Sequence, residues 1–100
     1  MKRKFNITMY VPLGNRQGTI SFDKINSQIT GTLCILGNED SFTGTIDENG
    51  FIEFKGKITS LLHSFYYCAK GKITGSKMEL SLSSDRYQFS IIGEELYREE

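Results

Sequence analysis

The strongest constraint on this chain is a strict alternation of apolar and polar residues that stops at a turn signal and then resumes. Phe5, Ile7, Met9 and Val11 alternate with Lys4, Asn6, Thr8 and Tyr10. The same pattern returns at Ile20 and Phe22, then at Ile29, Gly31, Leu33 and Ile35, and again at Phe42, Gly44 and Ile46. It continues through Ile52, Phe54, Gly56 and Ile58, then Phe65, Tyr67, Ala69, Gly71 and Ile73. Met78, Leu80 and Leu82 form the seventh run, and Tyr87, Phe89 and Ile91 the eighth. A period of two puts alternate side chains on opposite faces of a strand, so each run reads as a half-buried strand. No stretch carries a useful 3.6 period; only the tail from Glu94 to Glu100 has the composition for a single helical turn.

Turn chemistry separates the runs: Pro12-Leu13-Gly14-Asn15, Asn26-Ser27, Gly37-Asn38, Asp47-Glu48-Asn49-Gly50, Gly75-Ser76 and Ser84-Asp85. Asn49-Gly50 is the clearest hairpin signal. Short connections make each strand pair with the next. Eight antiparallel strands with one apolar face curl and close, because closure removes exposed edges. The expected fold is therefore all-β: one domain over residues 1–100, an up-and-down eight-stranded meander closing into a small barrel, with a two-sheet sandwich as the alternative. One Ala and one Val among many Ile, Thr, Phe and Tyr fit sheet better than helix. In a closed meander the first strand meets the last, so Lys2, Arg3 and Lys4 are expected beside Glu94, Glu95, Glu99 and Glu100.

Charge narrows the partners. Lys plus Arg and Asp plus Glu both number 12, for a net charge of zero. A nucleic-acid partner is not expected, since such domains usually carry a basic excess. No apolar run approaches the ~20 residues of a membrane span, and the basic start leads into an alternating strand rather than a signal sequence. A cytoplasmic location is expected. There Cys34 and Cys68 would be free thiols, although a bridge is conceivable if their strands are neighbours. His63 is the single histidine, so a Cys/His metal site is not expected. Nor is a cofactor, since phosphate-binding glycine loops and dinucleotide fingerprints are missing.

Four glycines, Gly31, Gly44, Gly56 and Gly71, fall on the inward parity of successive strands, spaced 13, 12 and 15 residues apart. An inward glycine weakens a strand, so something must offset it. Either the glycines permit the tight coiling of a small barrel or they hollow the lumen for a ligand. The loops near 12–17, 37–40, 59–64 and 83–85 make one end the expected mouth, with Leu13, Arg16, Glu39, Asp40, Leu61, Leu62 and His63 around it. The other end carries only tight turns. Gly31, Gly44, Gly56, Gly71, Tyr67, Tyr87, Arg16, Leu61, Leu62 and His63 are thus the candidate ligand-binding residues. His63 beside Ser60, Ser64 and Cys68, with Glu39 or Asp40 as an orienting acid, matches no catalytic signature. Lys55, Lys57, Lys70 and Lys72 form an outward basic stripe with Phe51 and Tyr66. Such a stripe can track single-stranded nucleic acid, but it also fits a solvated face that resists aggregation.

By its meander, its strand count and its Gly-Thr strand pattern, the chain resembles calycin-type barrels such as lipocalins, fatty-acid-binding proteins and avidins. The resemblance is architectural. The Gly-x-Trp of lipocalins and the ligand-lining tryptophans of avidins have no counterpart, since the chain has no tryptophan, and no binding residue carries over. The inward glycines and the unequal loops point to a small non-enzymatic binding protein holding a modest apolar ligand at the barrel mouth. The alternative is a protein-interaction or homo-oligomerisation module that uses its mouth loops or outer residues such as Tyr10, Leu36, Phe51, Tyr66 and Ile92. An enzyme would need convergent polar groups in the lumen.

Overall fold

A computed structural model of the chain describes residues 1–12, 14–35, 37–59 and 64–99, with Glu99 described by its backbone alone. Leu13, Leu36, Ser60, Leu61, Leu62, His63 and Glu100 lie outside the described residues. The strands are β1 (Lys2–Tyr10), β2 (Arg16–Ile25), β3 (Gln28–Ile35), β4 (Asn38–Ile46), β5 (Phe51–Thr59), β6 (Ser64–Thr74), β7 (Lys77–Ser83) and β8 (Gln88–Glu99). Each pairs antiparallel with the next, and β1 pairs with β8 to close the barrel. The sandwich alternative is excluded by that last ladder.

The tail from Glu94 is strand, not a helical turn. It extends β8 so that Lys2 to Tyr10 of β1 has a partner along its length, with a register irregularity between Lys4 and Phe5. The backbone groups of β1 would otherwise form an open edge.

Alternation places Phe5, Ile7, Met9, Ile20, Phe22, Leu33, Phe54 and Leu82 inside the barrel, each at most 3% exposed. Burial of such side chains contributes about 1.5–3 kcal/mol each. An eight-stranded barrel is just wide enough to be filled by its own side chains. Phe42 stacks on Phe54 at 4.2 Å between centroids, and Tyr67 meets Phe54 edge-on at 6.0 Å.

Three of the inward glycines are pressed against neighbouring backbone. A Cβ on Gly31, Gly44 or Gly71 would run into the carbonyl oxygen of Ser21, Glu53 or Glu79 respectively. Glycine there lets adjacent strands approach and coil. Gly56 differs, because its nearest neighbour is the side-chain oxygen of Tyr67.

The hairpins explain the unequal ends. Asp47 Oδ1 accepts the backbone N–H groups of Asn49 and Phe51, and Gly50 takes φ 89°. This aspartate-anchored turn ties β4 to β5. Gly75 at φ 61° and Asn26 at φ 59° hold the β6–β7 and β2–β3 turns. All three lie at the end that also carries Lys2 of β1 and Glu99 of β8. At the opposite end, the mouth, β1, β3, β5 and β7 finish and β2, β4, β6 and β8 begin.

Closure brings the oppositely charged tails together, and one pair lies inside. Arg3 shares the inward parity of Phe5 and Ile7 and is only 7% exposed. Its Nε donates to Glu95 Oε2 at 2.6 Å and its Nη2 to Glu95 Oε1 at 3.0 Å. Nη2 also reaches the Gly75 carbonyl at 3.1 Å, and the guanidinium lies 5.1 Å from the Phe5 ring centroid. A two-pronged pair with a further bond to a main-chain carbonyl is the geometry that makes a buried charge tolerable.

Cys34 and Cys68 are free. They sit on β3 and β6, which are not neighbours, and on the outward parity. Cys34 Sγ contacts Glu39 Oε2 at 3.6 Å. No helix among the described residues is long and apolar enough to cross a membrane.

Candidate functional site at the barrel mouth

At the mouth the wall loosens between two strands. β3 and β4 stay in register up to Ile35 with Asn38, and β5 and β6 up to Thr59 with Ser64. The β4–β5 ladder, however, stops at Phe42 with Gly56. Mouthward of that pair, Asp40 Oδ2 accepts the Thr59 backbone N–H at 3.0 Å. A side chain thus replaces a ladder bond. Asp40 has the inward parity of Phe42 and Gly44, and it is half-buried.

Tyr67 fills the space beside this gap. The residue is 4% exposed, and among the described residues its hydroxyl has no hydrogen-bond partner. The Tyr67 Oη stands 2.7 Å from the point where a Gly56 Cβ would be, and the Ser41 carbonyl oxygen stands 2.9 Å from the same point. Gly56 therefore makes room for the phenolic oxygen. Burial, and secondarily the Asp40 carboxylate, push the Tyr67 phenol well above its ordinary pKa. It stays protonated and is a donor throughout the neutral range.

Above Tyr67 lies an aromatic tray. Tyr87 stacks on Phe89 at 5.7 Å and an interplanar angle of 14°. Phe65, two residues from Tyr67 on the same face of β6, meets Tyr87 at 6.0 Å. Phe65 and Phe89 are half-buried against the core, while Tyr87 is 42% exposed. Ser84 fixes Tyr87: its N–H donates to the Tyr87 carbonyl at 2.8 Å, and its Oγ accepts the Tyr87 N–H at 3.2 Å. A cleft of about 420 Å³ opens beside the tray, bordered by Ser64, Phe65, Tyr66, Asp85, Arg86 and Tyr87.

Of the candidate residues, the structure brings Tyr67, Gly56 and Tyr87 to the mouth. Arg16 pairs with Met9 at the start of β2 and stands exposed at the rim, its Nη1 3.5 Å from the Asn15 carbonyl. Gly31, Gly44 and Gly71 lie lower, toward the turn end. Leu61, Leu62 and His63 lie outside the described residues. Cys68 points outward and Glu39 is turned to Cys34, so neither faces the lumen. Thr59 and Ser41 carried no side-chain signal for the site; both contribute backbone groups. Among the described residues no group of three His, Cys, Asp or Glu side chains is placed to hold a metal ion.

The outward lysines do form a ladder with the aromatics. Lys72 Nζ lies 5.0 Å from the Phe51 ring centroid and Lys57 Nζ 5.8 Å from that of Tyr66. Lys70 lies 3.9 Å from Glu53.

Compared with known proteins, the chain matches no family model, no curated protein and no solved structure.

Proposed function

We propose that this is a small non-enzymatic binding protein that holds a modest apolar ligand at the mouth of its barrel. The observation that carries the reading is the tray of Phe65, Tyr87 and Phe89, whose central residue has its ring stacked on Phe89 and its backbone held by Ser84, and is yet 42% exposed. A rigid exposed aromatic ring beside a cleft supplies contact area at small entropic cost. The core beneath it is occupied by side chains, so the ligand rests on the barrel contents rather than filling a deep lumen. The calycin-like outline of the meander agrees with this use of a barrel mouth.

Native mass spectrometry of gently purified protein, repeated after denaturation, tests the reading. A small-molecule adduct that is lost on denaturation, and lost from Tyr87→Ala, is expected. A bare protein with no adduct, and no response of the Tyr87 amide to aromatic probes, would overturn it.

A second reading is an interaction module on the outer face of β5 and β6. Tyr66 and Phe51 are 76% and 55% exposed there, each with a lysine over its ring. A clean oligomer that dissociates in Tyr66→Ser would favour that reading.

A further inference from the structure

We propose that the outer face of β5 and β6 binds a single-stranded nucleic acid, with bases stacked on Phe51 and Tyr66 and phosphates on the lysines between them. This rests on the outer-face reading above and names its partner. The zero net charge of the chain hides an uneven spread. β5 and β6 carry Lys55, Lys57, Lys70 and Lys72 against one acid, Glu53, while the rest of the chain carries eight basic and eleven acidic residues. All four lysines are exposed on the outward parity that Phe51 and Tyr66 share. The molecule is neutral as a whole, but this face is positive.

Register sets the order along the face: Phe51 opposite Lys72, Glu53 opposite Lys70, Lys55 opposite Cys68 and Lys57 opposite Tyr66. An aromatic residue thus stands at each end of the stripe, Phe51 55% and Tyr66 76% exposed, with an ammonium 5.0 Å and 5.8 Å from the respective ring centroid. The six residues from Phe51 to Lys57 span roughly 20 Å. At roughly 3.4 Å per stacked nucleotide that is about six nucleotides, within the roughly 4–16 that one small barrel domain covers. A cleft of about 610 Å³ beside Phe51 and Lys72 leaves room for a base. The acids around that cleft are engaged or lie at its edge. Asp47 accepts N–H groups in its own turn, Glu53 lies 3.9 Å from Lys70, and Glu79 stands opposite Lys72 on β7. Lys55, Lys57 and Lys72 form no ion pair among the described residues. An acidic protein would meet the lysines and leave the two exposed rings without a use. A single strand brings a phosphate and an aromatic face with every unit.

The test titrates the full chain into fluorescein-labelled oligothymidylate and oligouridylate of about ten nucleotides, at salt from about 50 to about 200 mM. At least one strand is expected to bind. Its log affinity is expected to fall against log salt with a slope of about −2, as three phosphates neutralised on a single strand require. A phosphodiester strand of the same length without bases is expected to bind at least about tenfold more weakly, because the stacking is gone. Tyr66→Ala is expected to weaken binding about five- to a hundredfold and leave the salt slope unchanged. Lys55→Gln is expected to flatten the slope by about 0.7. Both positions are exposed, so each variant should keep the urea midpoint of the native chain. No binding of either strand by about 100 μM protein at the lowest salt, or equal binding of the strand without bases, overturns the nucleic-acid assignment. If the protein then proves to be an oligomer that dissociates in Tyr66→Ser, the outer-face reading stands with a protein as its partner. A monomer overturns the outer-face reading and the nucleic-acid assignment together.

Discussion

The two ends of the barrel treat inward polar groups in opposite ways. At the turn end, Arg3 points into the core and is satisfied: Glu95 takes it in two hydrogen bonds and the Gly75 carbonyl takes a third. At the mouth, Tyr67 points into the core and its hydroxyl has no partner among the described residues, beside a ladder that ends early and an aspartate that closes only part of the gap. A buried charge that is paired secures a structure; a buried hydroxyl left open costs stability and is retained where something else can meet it. The difference separates a closing lock from the end where we propose that a ligand binds.

The largest effect should come from breaking the lock on one side. Arg3→Met leaves the Glu95 carboxylate buried without its partner and is expected to cost about 3–5 kcal/mol in urea unfolding at neutral pH. Arg3→Met combined with Glu95→Met should recover most of that loss, because two packed apolar chains replace a satisfied pair. If the single variant loses less than about 1 kcal/mol, the two ends are not different in kind.

Acid should act on the same lock. The hydrogen bonds from Arg3 hold the Glu95 carboxyl below its ordinary pKa, against a burial effect that raises it; Arg98, 3.4 Å away, lowers it further. A carboxyl whose folded-state pKa is depressed stabilises the fold fully above its unfolded value of 4.5. That contribution drains away as the pH falls from there through the folded value. Urea midpoints from pH 7 to pH 3 should therefore fall with acid, and Glu95→Gln should flatten the lower part of that curve. Parallel curves would place the acid sensitivity elsewhere.

The glycines sharpen the comparison at a smaller scale. Gly71→Ala, toward the turn end, drives a Cβ into the Glu79 carbonyl and is expected to cost about 1–3 kcal/mol. Gly56→Ala, toward the mouth, meets a phenolic oxygen at 2.7 Å and a carbonyl at 2.9 Å. It should cost less, because the tyrosine oxygen can move. Chemical denaturation of the two variants side by side decides the order.

Much of this was legible beforehand, and the rest was not for definite reasons. Period two showed the strands, and short turns implied the meander. Arg3 stands in the same column as Phe5, Ile7 and Met9, and Asp40 in that of Phe42 and Gly44. A charge in an inward column marks a barrel end, and that signal was present in the sequence. Glu94 to Glu99 carry too many charges to read as a strand. Only the need of β1 for a partner makes them one. The gap was not legible, because it depends on where one ladder stops, and the residues around it read as ordinary strand. Tyr67 was singled out by parity alone; that its hydroxyl has no partner among the described residues depends on side-chain placement that parity does not give.

The smallest expected effect is the most discriminating. A buried hydroxyl without a partner pays a desolvation cost of about 1–3 kcal/mol. Tyr67→Phe removes the oxygen and leaves the ring in its contact with Phe54. If the hydroxyl is held open for a ligand, the unliganded variant should be as stable as the native chain or up to about 1 kcal/mol more stable in urea. If the hydroxyl belongs to the scaffold in the manner of Arg3, the same substitution should cost about 1 kcal/mol, the ordinary worth of a lost hydrogen bond. The sign of one small number thus decides whether the mouth is a second lock or an open site, and it does so before any ligand is known.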